Sequence, residues 1–517
     1  MPIGIQDFES LRTGGFVYVD KTAQVYRLAN ESRHVFLGRP RRFGKSLLVS
    51  TLKAYFLGKK ELFGGLSMAE LEKDWTEYPV FHLDLMGADY SAAEGLDSGL
   101  GSNLRPLEER WGRDPEEDNP TARFRGLIRR AYEQTSKKVV VLIDEYDRPL
   151  IQHIGDPAAM EEMRLKLASF YGVLKAADQY LRFALLTGVT KFAKVNVFSE
   201  LNQLEDISMK KDYTGICGIS ETELSAYFEP ELQNLAKENN MSYEETLEKM
   251  QKHYNGYHFS KNSEGMFNPF GVLNTFSRGE FGYYWYETGT PTILIKQLRE
   301  NHFDLREFAN GISVAGEEIT NYRANSSNPV PLLYQSGYLT IKDFNSTLQE
   351  YILGFPNEEV KYAFLKNLMI DYLPDTQSAM GFSINDFYKD LYKSDIDAFM
   401  NRFKAFLGSI PYSVREDTEA YYQGLFYVMF SLMGQFVQAE VQSAVGRCDA
   451  VLFMDNKIMV FEFKLFGNGT VDDALQQIDD KGYLIPYTAS GKQLFKTGAV
   501  LDREKRTLRE WKTVVSD

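Results

Sequence analysis

Apolar and polar positions along the N-terminal part of the chain switch repeatedly between the period of a strand and that of a helix. An apolar run at residues 34–37 is followed by helical spacing at 45–57, and strand-like runs recur at 80–85, 139–143 and 182–187. Strands alternating with helices predict a mostly parallel sheet covered on both faces. Residues 221–300 turn helical, charged and aromatic, interrupted by a turn-prone stretch at 254–269, which predicts a helical lid. A helix at 331–339, strand-like runs at 339–344 and 350–355, and a helix restarting after Pro356 with Asn357 as N-cap suggest a winged-helix-like module.

The C-terminal part has its own rhythm. Charged helical sequence at 387–407 precedes an aromatic helix at 420–433, then strand-like segments at 436–441, 448–454 and 458–464, with Asp455 and Asn456 in the last turn. A helix at 471–483 and further strand-like sequence complete an αβββαβ unit. The expected limits are 1–215 for the parallel-sheet domain, 216–325 for the lid, 326–385 for the winged-helix-like module and 386–517 for the last unit.

Length agrees with several domains, since 517 residues at about 150 per domain gives about three. A hydrophobic content of 44% with 25% charged residues describes a globular chain, not a disordered one. The net charge of −14 excludes a basic coat for indiscriminate nucleic-acid binding, so any such contact must be local. Cys217 and Cys448 stand far apart and outside any CxxC pattern, so disulfides do not organise the fold. No basic leader precedes an apolar segment and no run approaches the ~20 apolar residues of a membrane span, which makes a cytoplasmic protein without a membrane partner the expectation.

The first candidate chemistry lies at residues 37–48, LGRPRRFGKSLL, a loop between an apolar strand and an apolar helix. Backbone N–H groups at such a helix start cradle phosphate oxygens. Arg42, Phe43, Gly44, Lys45 and Ser46 are therefore the candidate nucleotide-binding set, with Lys45 reaching the β/γ-phosphates and the Ser46 hydroxyl holding Mg²⁺. In GxxxxGK[ST] the first glycine falls where Arg39 stands, and Gly38 is one residue early. Arg39, Arg41 and Arg42 would clamp phosphates, pair with a neighbouring subunit or simply be solvated.

The run VVVLIDEYD at 139–147 ends a buried-type strand in carboxylates, at the strand end where open α/β sheets bind ligands. Asp144 would hold Mg²⁺ through water and Glu145 would orient the attacking water. A further strand is expected between the P-loop strand and this one. Thr187, followed by Thr190 and Lys191, is either placed to sense the γ-phosphate or an ordinary strand-terminal threonine.

The second candidate chemistry lies at Asp449 and at Glu462 and Lys464, within GRCD and VFEFK. A thirteen-residue spacing suits Asp449 and Glu462 meeting across a hairpin, while Glu462 and Lys464 share a strand face. Two acids on one face call for a divalent cation, and oxygen ligands favour Mg²⁺ or Mn²⁺. Lys464 would orient or deprotonate a metal-bound water for attack on a phosphodiester. Glu440 is a candidate further ligand, and Gln477 and Tyr483 would support the site or touch the nucleic-acid backbone. A cationic groove could draw on Arg447, Lys464, Lys492 and the 503–512 stretch. The bland alternative is a surface strand with an inconsequential ion pair.

Together these segments resemble bacterial AAA-ATPase-like proteins that carry a C-terminal nuclease domain of the PD-(D/E)XK superfamily. The resemblance rests on GIQDFESLRTGGFVYVDKT, RPRRFGKSLL, VVVLIDEYDRPL, LLTGVTKFAKV, YNGYHF with NPF, WYETGTP, and GRCDAV with FEFKL. It implies a P-loop NTPase of the ASCE or AAA-like kind, ATP and a divalent metal as cofactors, and the shifted loop glycine as usual. It further implies Pro269 packing near the adenine, the alternative being a helix-initiating proline at N1, Asp20 to Thr22 bordering the nucleotide or forming a cap, and Asp449, Glu462, Lys464, Glu440 and Gln477 as nuclease residues. Cys448 stands at a usually apolar position, and a role in defence against foreign DNA or in mobile elements would follow. The expected activity is an ATP-gated or ATP-dependent nuclease acting on nucleic acid, DNA foremost, with a homo-oligomer possible. The alternative is a nucleotide switch or oligomeric scaffold whose nuclease-like domain binds without cutting.

Overall fold

The computed structural model describes residues 1–90, 93–154, 156–192, 204–285, 294, 298, 303, 307–319, 328–371, 384–409, 425, 428–429, 431–432, 438–440, 450–454, 456–502, 504–505 and 507–516. They fall into two units, Met1–Gly289 with Ser313–Val360, and Thr290–Ile312 with Lys361–Asp517. The division lies inside the helix Glu358–Asp371.

In the first unit the apolar runs become β1 (His34–Gly38), β2 (Val80–Asp84), β3 (Val139–Asp144), β4 (Leu181–Gly188) and the short β5 (Glu205–Asp206). They form a parallel sheet in the order β2-β3-β4-β1-β5. Every residue of β3 is buried, as helices on both faces require of a central parallel strand. The expected extra strand is β4, between the P-loop strand and the acidic strand. Helix Lys45–Phe56 packs on β3, and helices Pro120–Thr135 and Pro157–Ala176 start with proline at N1 behind Asn119 and Asp156 caps.

Three helices follow, Glu221–Glu238, Tyr243–Tyr254 and Pro269–Arg278. Ser220 with Glu223 and Ser242 with Glu245 form capping boxes on the first two. Their apolar faces meet around Leu224, Phe228, Leu232, Met250, Tyr254 and Phe267. The stretch at 254–269 is more than a turn: Tyr257 bridges Met266, and Phe267 bridges Ile219, in antiparallel pairs.

Helix Val330–Gln335 precedes a hairpin as expected, but the sheet has three strands. These are β6 (Ile312–Ala315), β7 (Thr340–Asn345) and β8 (Glu350–Gly354), in the order β6-β8-β7. Asn357 Oδ1 accepts the Val360 N–H at 3.1 Å, the cap expected from sequence.

In the second unit helices Ile384–Tyr392 and Ile396–Ser409 lead to a mixed sheet, β9 (Gln438–Glu440), β10 (Ala450–Phe453), β11 (Lys457–Leu465), β12 (Gln493–Asp502) and β13 (Thr507–Ser516). The order is β13-β12-β11-β10-β9. Only β11 and β12 run parallel, joined across helix Val471–Asp480. Sequence anticipated one strand after that helix; there are two, β12 and β13, which pair antiparallel across a short turn. Most of the aromatic helix expected at 420–433 lies outside the described residues, although Leu425, Val428, Met429 and Leu432 are buried. Among the described residues, no helix is long and apolar enough to cross a membrane.

Candidate functional site

The P-loop connects β1 to helix Lys45–Phe56. Gly44 has φ +91°, a left-handed conformation that glycine adopts without strain, and the space beside its Cα is open. No side chain caps the helix start, so its first N–H groups stay available to an anion. Donor set and open cradle fit a nucleotide phosphate.

Lys45 does not extend into solvent. It is 4% exposed, and its Nζ donates to the Arg39 carbonyl at 3.1 Å and the Pro40 carbonyl at 3.4 Å. It also lies 3.4 Å from Glu145 Oε1, across from the end of β3. Glu145 sits in the left-handed region at φ +54°, a strained turn for a non-glycine residue. Asp144 is buried and accepts the Thr187 hydroxyl at 2.5 Å and the Glu145 N–H at 3.1 Å. Parallel registry sets Thr187 beside Leu37, so the ends of β1, β3 and β4 converge and gather Lys45, Asp144, Glu145 and Thr187. Ser46 is half-buried in the first helical turn.

Around this centre, several side chains have structural partners. Arg39 is fully buried: Nη1 donates to the carbonyls of Gly38 (2.9 Å) and Ser208 (2.7 Å), Nη2 to Tyr213 (2.9 Å), and its guanidinium lies over Phe259. Neither a phosphate clamp nor a solvated side chain describes it. Arg42, at φ +67°, lies over Phe270 at 4.7 Å. Phe43 is buried with its ring packed on Tyr257 and Phe259. Pro269 takes N1 of its helix behind Asn268, whose side chain accepts from Phe270 N and Gly271 N. The Trp285 indole N–H donates to the Arg41 carbonyl at 3.1 Å. Lys191 reaches Asp206 at 2.7 Å rather than the P-loop. Asp20 acts as a cap, accepting from Thr22 and from the Ser67 backbone and hydroxyl.

One residue of this site went unassigned from sequence. Asp147 is completely buried, and its Oδ2 accepts Val189 N at 3.0 Å and Thr190 N at 2.5 Å. Burial, reinforced by the neighbouring Glu145 charge, pushes its carboxyl up to about 7. The available signal was a third acid in DEYD, two residues beyond Glu145.

In the second unit, Glu462 is 4% exposed near the middle of β11, which removes the surface-strand reading. Its Oε1 lies 3.3 Å from Lys464 Nζ and also accepts the Gln477 side-chain amide, whose oxygen in turn accepts from Lys464. Gln477 is thus a supporting residue, held by helix Val471–Asp480. That helix can approach because Gly498 stands beside Glu462 on β12: a methyl group there would lie 2.6 Å from the Val471 carbonyl oxygen. Tyr483 lies beyond the helix and is buried in the core, so it does not reach a nucleic-acid backbone. The described β10–β11 register sets Ala450 opposite Phe461. Asp449 lies outside the described residues, as do Cys448 and Arg447, and Glu440 is placed only by its strand position opposite Val451. Among the described residues no three His, Cys, Asp or Glu side chains are grouped to hold a metal ion. Of the candidate groove cations, Lys492 donates to the Met454 carbonyl, Arg509 pairs with Asp502 at 3.2 Å and Lys512 with Asp472 at 2.9 Å, while Arg503 and Arg506 lie outside the described residues.

A parallel sheet bearing a phosphate-type loop, followed by a mixed sheet with a buried Glu-Lys pair, defines a P-loop-like ATPase fold joined to a nuclease-type fold. Family comparison agrees: residues 2–198 match the model described as Predicted AAA-ATPase, and residues 417–511 match the PD-(D/E)XK nuclease superfamily. The chain belongs to the AAA-ATPase-like proteins with a C-terminal PD-(D/E)XK superfamily domain. It is similar, at 35% identity over 520 residues, to the "Uncharacterized protein in vnfD 5'region" of Azotobacter chroococcum mcd 1, covering 98% of this chain and 97% of that one.

Proposed function

We propose that the chain binds and hydrolyses ATP at the P-loop and uses the nucleotide to gate a metal-dependent nuclease site in its C-terminal domain. The observation that carries this reading is that each domain sets a lysine beside a buried or half-buried glutamate, Lys45 with Glu145 at 3.4 Å and Lys464 with Glu462 at 3.3 Å. Both pairs are of the type that exchanges an internal partner for a phosphate or a water.

At the first site, Lys45 would leave Glu145 for the β/γ-phosphates, and the amides at the helix start would hold phosphate oxygens. Ser46 and Asp144 would hold Mg²⁺, Thr187 would keep Asp144 oriented, and Glu145 would align water on the γ-phosphate. Pro269 and Phe270 would border the base. At the second site Glu462, Asp449 and Glu440 would be the carboxylate ligands, with Gln477 fixing Glu462 and Lys464 directed at the attacking water. A bound divalent cation supplies charge neutralisation and an acidified water. The three-stranded β6-β8-β7 sheet with its flanking helices is read as the winged-helix-like module.

A cleavage assay on single- and double-stranded DNA and RNA, with Mg²⁺ or Mn²⁺ and with no nucleotide, ADP or ATP, tests the whole reading. Metal-dependent cleavage that responds to nucleotide and disappears in Glu462→Ala with Lys464→Ala supports it. No cleavage of any substrate removes it. That outcome leaves the second reading, a nucleotide-dependent switch or oligomeric scaffold whose C-terminal domain binds nucleic acid or protein without cutting.

A further inference from the structure

We propose that Asp147 is a positioning residue that fixes the chain leaving β4 beside the nucleotide. This rests on the ATP-binding reading above. The turn after β3 grips residues 187–190 through five hydrogen bonds: Thr187 hydroxyl to Asp144, Tyr146 N–H to the Thr187 carbonyl (2.9 Å), the Val189 and Thr190 amides to Asp147, and Tyr146 hydroxyl to the Thr190 carbonyl (2.7 Å). Two of the five end on one oxygen of Asp147. The fit is close: a methyl group at Gly188 would lie 2.5 Å from Asp147 Oδ1.

Two further polar atoms at this junction have no hydrogen-bond partner. Asp147 Oδ1 and Thr190 Oγ1 are both buried without a hydrogen bond, on residues that are themselves fully buried. A buried acceptor and hydroxyl left open cost free energy unless the segment exchanges between partners. The tether therefore holds Thr187 on Asp144 while leaving groups at Thr190 for the nucleotide-bound arrangement. Asp147 acts through this segment and touches no phosphate itself.

Hydrogen exchange on the full chain, with and without the Mg²⁺ complex of a non-hydrolysable ATP analogue, tests the assignment. In the wild type the analogue slows exchange in peptides covering 38–48 and in those covering 185–190. In Asp147→Ala only the first slows, the affinity for the analogue stays within about threefold, and kcat for ATP falls by about 10- to 100-fold, as expected of a misplaced group. Asp147→Asn, which keeps an acceptor for both amides, restores both responses. Should Asp147→Ala not fold, Gly188→Ala displaces the same carboxyl and gives the same split. Retained protection at 185–190 with wild-type kcat in Asp147→Ala overturns the role, as does an Asp147→Asn variant no better than alanine. A wild-type chain whose 38–48 peptide ignores the analogue instead removes the ATP reading, and the positioning role falls with it.

Discussion

Lys45 Nζ stands 3.4 Å from Glu145 Oε1, so the lysine expected on the phosphates and the acid expected to align water hold one another. The pair is largely buried, with side-chain exposures of 4% and 15%, and Lys45 has two backbone carbonyls as further acceptors. Removing one member of such a pair leaves the other charge poorly compensated. A phosphate arriving at the loop would compete with Glu145 for the same ammonium and leave that carboxylate facing the nucleotide.

Glu145→Gln separates the two roles. Losing the acid removes the competitor for Lys45, so ATP should bind at least as tightly as to the wild type. Hydrolysis should fall by about 10²- to 10⁴-fold, the range for a general base. Lys45→Ala should lose nucleotide binding altogether. Calorimetric titration with ATP and phosphate release at saturating ATP check both; a glutamine variant that hydrolyses at the wild-type rate contradicts the assignment.

The parallel sheet was legible because β1, β3 and β4 are short apolar runs, too short for buried helices and alternating with helical segments. The P-loop and the DEYD turn were legible because phosphate chemistry restricts residue type and spacing. Arg39 was not: its cation lies in the basic run RPRR, which reads as surface, yet long-range contacts to Ser208 and Tyr213 bury it. Asp147 was hidden for the same reason, since the amides that donate to it, those of Val189 and Thr190, lie just beyond β4, 42 and 43 residues further along the chain. In the second unit spacing foretold the antiparallel β10–β11 pair, whereas Gln477's role depends on how closely a helix can approach Gly498.

Arg39 should prove a folding residue. Its guanidinium satisfies three carbonyl oxygens in a site without water access, and each buried acceptor left unpaired costs about 1–3 kcal/mol. Arg39→Met should therefore destabilise the protein by at least about 3 kcal/mol in denaturant unfolding followed by tryptophan fluorescence. Arg41→Met, whose side chain is exposed, should change stability by less than about 0.5 kcal/mol. Equal effects would mean that Arg39's contacts do not matter.

Gly498→Ala probes the second site without touching a charged group. The added methyl would meet the Val471 carbonyl oxygen and push helix Val471–Asp480 outward, drawing Gln477 from Glu462. Metal-dependent cleavage should fall about 10- to 100-fold with the fold retained, comparable to losing an outer-shell support. Gln477→Ala should match it. Full cleavage in both variants would show that Gln477 does not support the site.

Asp147 should also leave a signature in stability against pH. Its carboxyl is raised from 3.8 to about 7 by burial and by the Glu145 charge, with the Thr190 amide and Lys45 opposing. A folded-state value above the unfolded one means that the native protein binds the proton more tightly. The resulting stabilisation is complete below about pH 4 and is lost as pH rises from there through 7, after which it is flat. Since one unit is about 1.4 kcal/mol, the loss is bounded at about 4 kcal/mol. Asp147→Asn carries no such proton, so thermal melts across pH 4 to 8 should show it gaining on the wild type up to about pH 7 and running parallel above. Parallel curves throughout would mean that Asp147 is ionised in the folded protein at every pH in the range, with Val189, Thr190 and Lys45 outweighing its burial.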